Sequence, residues 1–132
     1  MLQKFDNYEI NEIENFICRF KNQQNHEIDL KNGIKLIQII GNNFSNKNYN
    51  YLIDHNTGFN LSILKAKKGL IEDLIFDKPT ILFSQKGNWK VKIEKDEFNI
   101  NSKDTFSLPL NTKVSISIDN NEDCFLNCVS KA

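Results

Sequence analysis

The chain reads as all-β, a barrel or sandwich of short strands preceded by one short amphipathic helix. Three observations carry this reading. Period-2 alternation recurs late in the chain: Trp89, Val91 and Ile93 share a face against Asn88, Lys90 and Lys92, and Val114, Ile116 and Ile118 oppose Lys113, Ser115 and Ser117. Turn signals separate these runs at Lys86-Gly87 and Lys95-Asp96, and Pro79 and Pro109 sit at strand edges, where a missing N–H is tolerated. Near the N-terminus the period becomes helical instead.

Taken in order, residues 1–10 form an arm or a first strand. Ile10, Ile13, Phe16, Ile17 and Phe20 then recur at helical spacing, with Asn11 placed to cap the start and Glu14 three residues on. This predicts a helix that ends at Gln23-Gln24-Asn25 and covers the barrel. His26 falls in the polar connector that follows. Asn32-Gly33 signals a turn, and 33–40 reads as a strand whose apolar run 36–40 is broken by Gln38. The polar stretch 41–58 carries Tyr49, Tyr51 and His55, and a loop of that length reads as a lid or as a strand exchanged with a second subunit. Phe59 to Lys65 is the next strand, and the lysines 65, 67 and 68 make a solvated basic spot. Thr80 to Gln85 is apolar on both faces, Leu82 on one and Ile81 with Phe83 on the other, so cover is expected on both. Phe98 with Ile100, and Phe106 with Leu108, continue the alternation. Asp119 to Asp123 reads as an acidic turn, after which Cys124 to Val129 closes the structure.

Within this pattern, Gly69 to Gly87 resembles the first motif of the cupin superfamily and Lys103 to Ile118 the second. The closest likenesses are Gly87-Asn88-Trp89 and the run Asp104-Thr105-Phe106-Ser107-Leu108-Pro109, and the resemblance spans roughly the last three-fifths of the chain. It implies a cupin-type double-stranded β-helix, a jelly-roll barrel of the RmlC-like kind, with residues 1–32 as arm and helix and 33–132 as the barrel of a single domain. In metal-binding cupins the two motifs supply three histidines and a carboxylate. Anchored on Gly87 and Pro109, those ligand positions fall at Leu74, Phe76, Thr80 and Val114. Transition metals need imidazole, thiolate or carboxylate donors, and these four side chains offer none. The expectation is therefore no metal, no cofactor and no catalytic residue.

What the resemblance leaves is a pocket lined by Leu74, Phe76, Leu82, Trp89, Phe106, Val114 and Ile116, with Thr80, Ser84 and Glu72 as polar anchors and Tyr49, Tyr51 and His55 as a lid. Glu72 shares the parity of Leu74 and Phe76 and so is expected to point inward. The competing expectation is that these large apolar groups simply fill the barrel. The leading function is a non-catalytic barrel that binds a small apolar or mixed molecule or pairs with another protein. One alternative is a metal-independent epimerase or isomerase drawing on 41–58; another is a dioxygenase or lyase with an unorthodox metal site.

The 132 residues carry a formal net charge of zero, which argues against nucleic-acid and anionic-membrane binding. No run reaches membrane-spanning length, and three cysteines fit a reducing cytoplasmic setting in which thiols pack as small apolar groups. Cys124 and Cys128, four apart on a strand, lie about 13 Å from each other, too far for a disulfide. A homodimer is expected, both from the resemblance and from the apolar outer face of Ile81 and Phe83.

Overall fold

A computed structural model of the chain describes residues 27–30, 32–40 and 58–131. Eight strands follow in order: β1 Ile28–Asp29, β2 Lys35–Ile40, β3 Phe59–Ile75, β4 Thr80–Lys86, β5 Trp89–Ile93, β6 Asp96–Ile100, β7 Thr105–Ser107 and β8 Lys113–Lys131. The expected helix, His26, Cys18 and the expected lid with Tyr49, Tyr51 and His55 lie outside the described residues. Among those described, no helix is long and apolar enough to cross a membrane.

Every pairing is antiparallel, and β8 is the hub. It hydrogen-bonds to β3, β4 and β5, while β2 flanks β3, β7 flanks β4 and β6 flanks β5. Two long strands stand where the sequence suggested four shorter ones. Phe59 to Lys65 and the start of the first motif are one strand, β3. The expected acidic turn is a bulge within β8: Ala66 pairs with Cys124 and Lys68 with Asp119, which leaves 120–123 opposite Lys67 alone. The chain bends there without reversing, because the ladder to the same neighbour resumes on both sides. Surplus residues on one strand bend and twist a sheet in this way.

That bend divides the sheet into two walls. The first holds β2, residues 59–66 of β3, residues 124–131 of β8, β4 and β7. The second holds the remaining halves of β3 and β8 with β5 and β6. Their inner faces share one hydrophobic core, in which Leu36, Leu64, Leu126 and Leu82 of the first wall join Trp89, Val91, Val114 and Ile116 of the second. The alternation read from the sequence decides which side chains enter it. Between the free edges β6 and β7, Phe98 meets Phe106 edge to face with ring centroids 5.7 Å apart, a favoured aromatic geometry.

Two glycines let backbones meet. The Asn32-Gly33 turn, with φ of 54° and 88°, lies against Gly69, where Leu70 N donates to Asn32 O at 3.1 Å. A Cβ at Gly33 would fall onto the Lys68 carbonyl, and one at Gly69 onto Asn32 O. Left-handed φ and close approach are both what glycine permits.

On the outer face of the first wall, Ile37, Ile39 and Ile63 form a second apolar cluster with Leu61 and Phe125 packed on it. The cover expected over both faces of β4 is incomplete, since Ile81 is 43% exposed while Leu82 is fully buried.

Candidate functional site: the inner walls of the barrel

Cross-strand register groups the inward side chains into rows. In the second wall, Leu74, Val114 and Ile93 form the outermost row, and Ile71, Ile116, Val91 and Phe98 the next. In the first wall, Leu36, Leu64, Leu126 and Ser84 form a row near the bend; beyond it come Gln38, Ser62, Cys128, Leu82 and Phe106, and then Asn60, Ser130 and Thr80. The linkers cross between the walls at the open end. Asn111 N donates to Phe76 O at 3.0 Å and Leu108 N to Thr80 O at 2.9 Å, which fastens them there.

The residues equivalent to cupin ligands gather at this open end. Leu74 sits directly across from Val114, which is buried; Phe76, also buried, opens the linker to β4, and Thr80 begins β4. Leu74 is half-buried and packs on the core. Of the expected lining, Leu82, Trp89 and Ile116 are fully buried and Phe106 is half-buried.

The expected polar anchors are engaged elsewhere or face elsewhere. Thr80 Oγ1 donates to Lys78 O at 2.8 Å and Ser84 Oγ to Gly87 O at 2.6 Å, so both hydroxyls tie down their own turns. Trp89 Nε1 likewise donates to Lys86 O at 3.2 Å. Glu72 is a correction. A bulge sets Ile71 against Ile116 and Leu74 against Val114, three residues of β3 spanning two of β8, with Asp73 at φ 58°. Alternation therefore breaks at that point. Glu72 is exposed and lines an open cavity of about 700 Å³ on the outer face, with Lys90, Lys92, Ser115 and Ser117. A second open cavity, of about 580 Å³, lies beside the bend among Lys65, Lys67, Lys68 and Asn121.

Sequence reasoning missed Gln38, Ser62 and Ser130, which join Thr80 and Ser84 on the first wall. Gln38, Ser62, Thr80, Ser84 and Ser130 are the buried polar side chains among the described residues, and all five lie on its inner face. Gln38 is 1% exposed, and neither its Nε2 nor its Oε1 has a hydrogen-bond partner. Beside them, burial pushes the Cys128 thiol up to about 12, since a low-dielectric setting disfavours the thiolate. Burial also raises Cys124, against a lowering contribution from the Asn120 amide, which donates to its Sγ at 3.1 Å. Neither Cys124 nor Cys128 is in a disulfide. Among the described residues no group of three or more His, Cys, Asp and Glu is placed to hold a metal ion.

No family model and no curated protein matches the chain. Solved structures do. Ectoine synthase from P. lautus superposes with a TM-score of 0.66 at 12% identity, over 88% of this chain and 77% of that one. KdgF from Halomonas sp. gives 0.63 at 11%, over 88% and 94%. A cupin 2 conserved barrel domain protein from Salinispora arenicola CNS-205 gives 0.62 at 12%, over 82% and 83%. At such identities the likeness is one of fold, and the fold is the cupin barrel.

Proposed function

We propose that this chain is a cupin barrel that works without a metal, as a non-catalytic binding protein for a small, neutral, largely apolar molecule. The observation that carries this is the chemistry at the four ligand-equivalent positions. Leu74, Phe76 and Val114 belong to the packed interior and have no donor atom, and the Thr80 hydroxyl is already engaged by Lys78 O. A transition-metal ion does not fit that set, because it needs several imidazole, thiolate or carboxylate donors converging on one point. One structural neighbour bears the name of a synthase, but a shared fold does not carry a shared chemistry. Ligand sites are typically lined by apolar groups with a few polar anchors, and the inner rows of this barrel combine apolar side chains with the buried Gln38, Ser62 and Ser130. The buried thiols of Cys124 and Cys128, neither of them in a disulfide, support a reducing, cytoplasmic setting.

Elemental analysis of the untagged protein, paired with melting curves before and after chelation, tests this reading. Substoichiometric metal and an unchanged Tm are expected. One equivalent of a transition metal, or a Tm that falls on chelation, would overturn it, since a ligand of the native state alone must stabilise it.

A second reading concerns assembly. Ile81 is exposed on the outer face of β4, directly beside Val129 and next to the half-buried Phe83. We propose that a second copy of the chain covers it. Light scattering should give a dimer mass that drops to the monomer in Ile81→Lys; an unchanged mass would remove Ile81 from the interface.

A further inference from the structure

We propose that the side-chain amide of Gln38 is the hydrogen-bonding anchor of a ligand site on the inner face of the first wall, and that its ligand presents an N–H donor beside a carbonyl acceptor, as a lactam or primary amide does. This rests on the binding-protein reading above and deepens it by naming the ligand's polar end.

Gln38 is the outlier of its strand. Leu36 and Ile37 on either side of the sheet are fully buried, and Gln38 occupies the inward parity that Leu36 and Leu64 fill with carbon. A leucine there would extend the core. Instead a carboxamide is held out of water with both polar atoms unsatisfied. Leaving such a group unpaired is destabilising, whereas replacing it with an apolar group of similar size is neutral or favourable. A residue that lowers stability in the free protein while presenting two ready hydrogen-bonding atoms is placed for a partner that arrives later.

Its neighbours define what that partner is. A carboxamide offers an acceptor and a donor side by side, so it is complementary to a group offering the reverse pair at the same spacing. Ser62 lies directly across from Gln38, and Ser130 and Thr80 lie one row nearer the open end. These inner rows contain no Lys, Arg, Asp or Glu, and the one titratable group in them, Cys128, stays protonated. A charged ligand would enter without a counter-charge and lose its hydration, so the site selects a neutral one. Leu74, Val114 and Ile93 of the second wall, which belong to or pack on the same core, supply an apolar surface for the remainder of the molecule.

The test uses pyrrolidone, an unsubstituted five-membered lactam, as probe, with N-methylpyrrolidone as the same ring lacking the donor. Binding to the full chain is followed by thermal shift and by protein NMR, in wild type, Gln38→Leu and the flexible isostere Gln38→Met. The expected result has three parts. Wild type binds pyrrolidone about tenfold more tightly than the methylated ring, the worth of one well-made hydrogen bond. Both variants melt higher than wild type in the absence of probe. Both bind pyrrolidone no better than wild type binds the methylated ring.

Equal binding of the two rings, or unaltered pyrrolidone binding in a folded variant, would overturn the Gln38 anchor while leaving a binding barrel intact. A lower melting temperature in both variants would also overturn it, because the amide would then be satisfied in the native state, as by a buried water. Failure of wild type to bind either ring would overturn the anchor, and metal at one equivalent in the same preparation would separately overturn the metal-free reading beneath it.

Discussion

The two walls of the barrel present opposite chemistry to the same interior. From Ile118 to Phe98, the second wall is carbon throughout: Ile71, Leu74, Trp89, Val91, Ile93, Ile100, Val114 and Ile116 all face inward. The first wall alternates leucine with Gln38, Ser62, Thr80, Ser84 and Ser130. Three of the four positions where the cupin resemblance expects ligands fall on the carbon wall or its linker. The buried polar groups have collected on the wall opposite, which holds only Thr80 of the four positions. In this barrel the place to look for recognition is therefore the wall that holds one of those four positions, not the wall that with its linker holds three.

The comparison breaks most visibly if a polar group is forced onto the carbon wall. Val114→Asp should leave no stable native state, because an unpaired carboxylate in the core lies in the class of substitutions that remove about 4 kcal/mol or more. Thr80→Val, an apolar change at the first wall, loses only the bond to Lys78 O and should shift stability by about 1 kcal/mol. Urea denaturation of the two variants side by side measures the contrast, and similar losses would mean the walls do not differ in kind.

Cys128 sharpens it on an intermediate scale. Its thiol is pushed up to about 12 from 9.0 by burial, so above pH 9 the unfolded chain ionises a thiol that the native state keeps protonated. Stability contributed by the neutral thiol is thus complete below pH 9 and declines as pH rises towards 12, by at most about 1.4 kcal/mol per pH unit. Cys128→Ala should flatten that part of the stability–pH curve relative to wild type, whatever its offset at neutral pH. Identical slopes would place Cys128 in contact with water. The gain in Gln38→Leu, about 1 kcal/mol, equals the Thr80→Val change in size and is opposite in sign to an ordinary core substitution.

Much of this was legible in the residues. The alternation of Trp89, Val91 and Ile93, and of Val114, Ile116 and Ile118, put the correct faces inward, because side-chain period is a local property of an extended chain. The Asn32-Gly33 turn and the break at Gly87 were read from glycines that the structure holds at φ of 88° and 99°. Bulges were not legible. Asp73 adopts φ 58° without being glycine, and 120–123 bulge because the pairing on either side is fixed by a distant strand, not by their own composition. Glu72 was misplaced for that reason. Gln38 was legible and passed over: parity with Leu36 already set it inward, but in an apolar run it read as an interruption instead of as a group with two bonds to make.

The hub position of β8 has a consequence for how the chain is made. β3, β4 and β5 each take a hydrogen-bonded neighbour from Lys113–Lys131, and Phe59 finds its partner only at Lys131. A chain emerging from the ribosome presents those three strands with open edges until the last of β8 has been synthesised. Topologies closed by such distant pairings fold slowly and expose aggregation-prone edges meanwhile. The nascent chain is therefore most vulnerable just before β8 arrives, and shortening β8 would withdraw a neighbour from three strands at once.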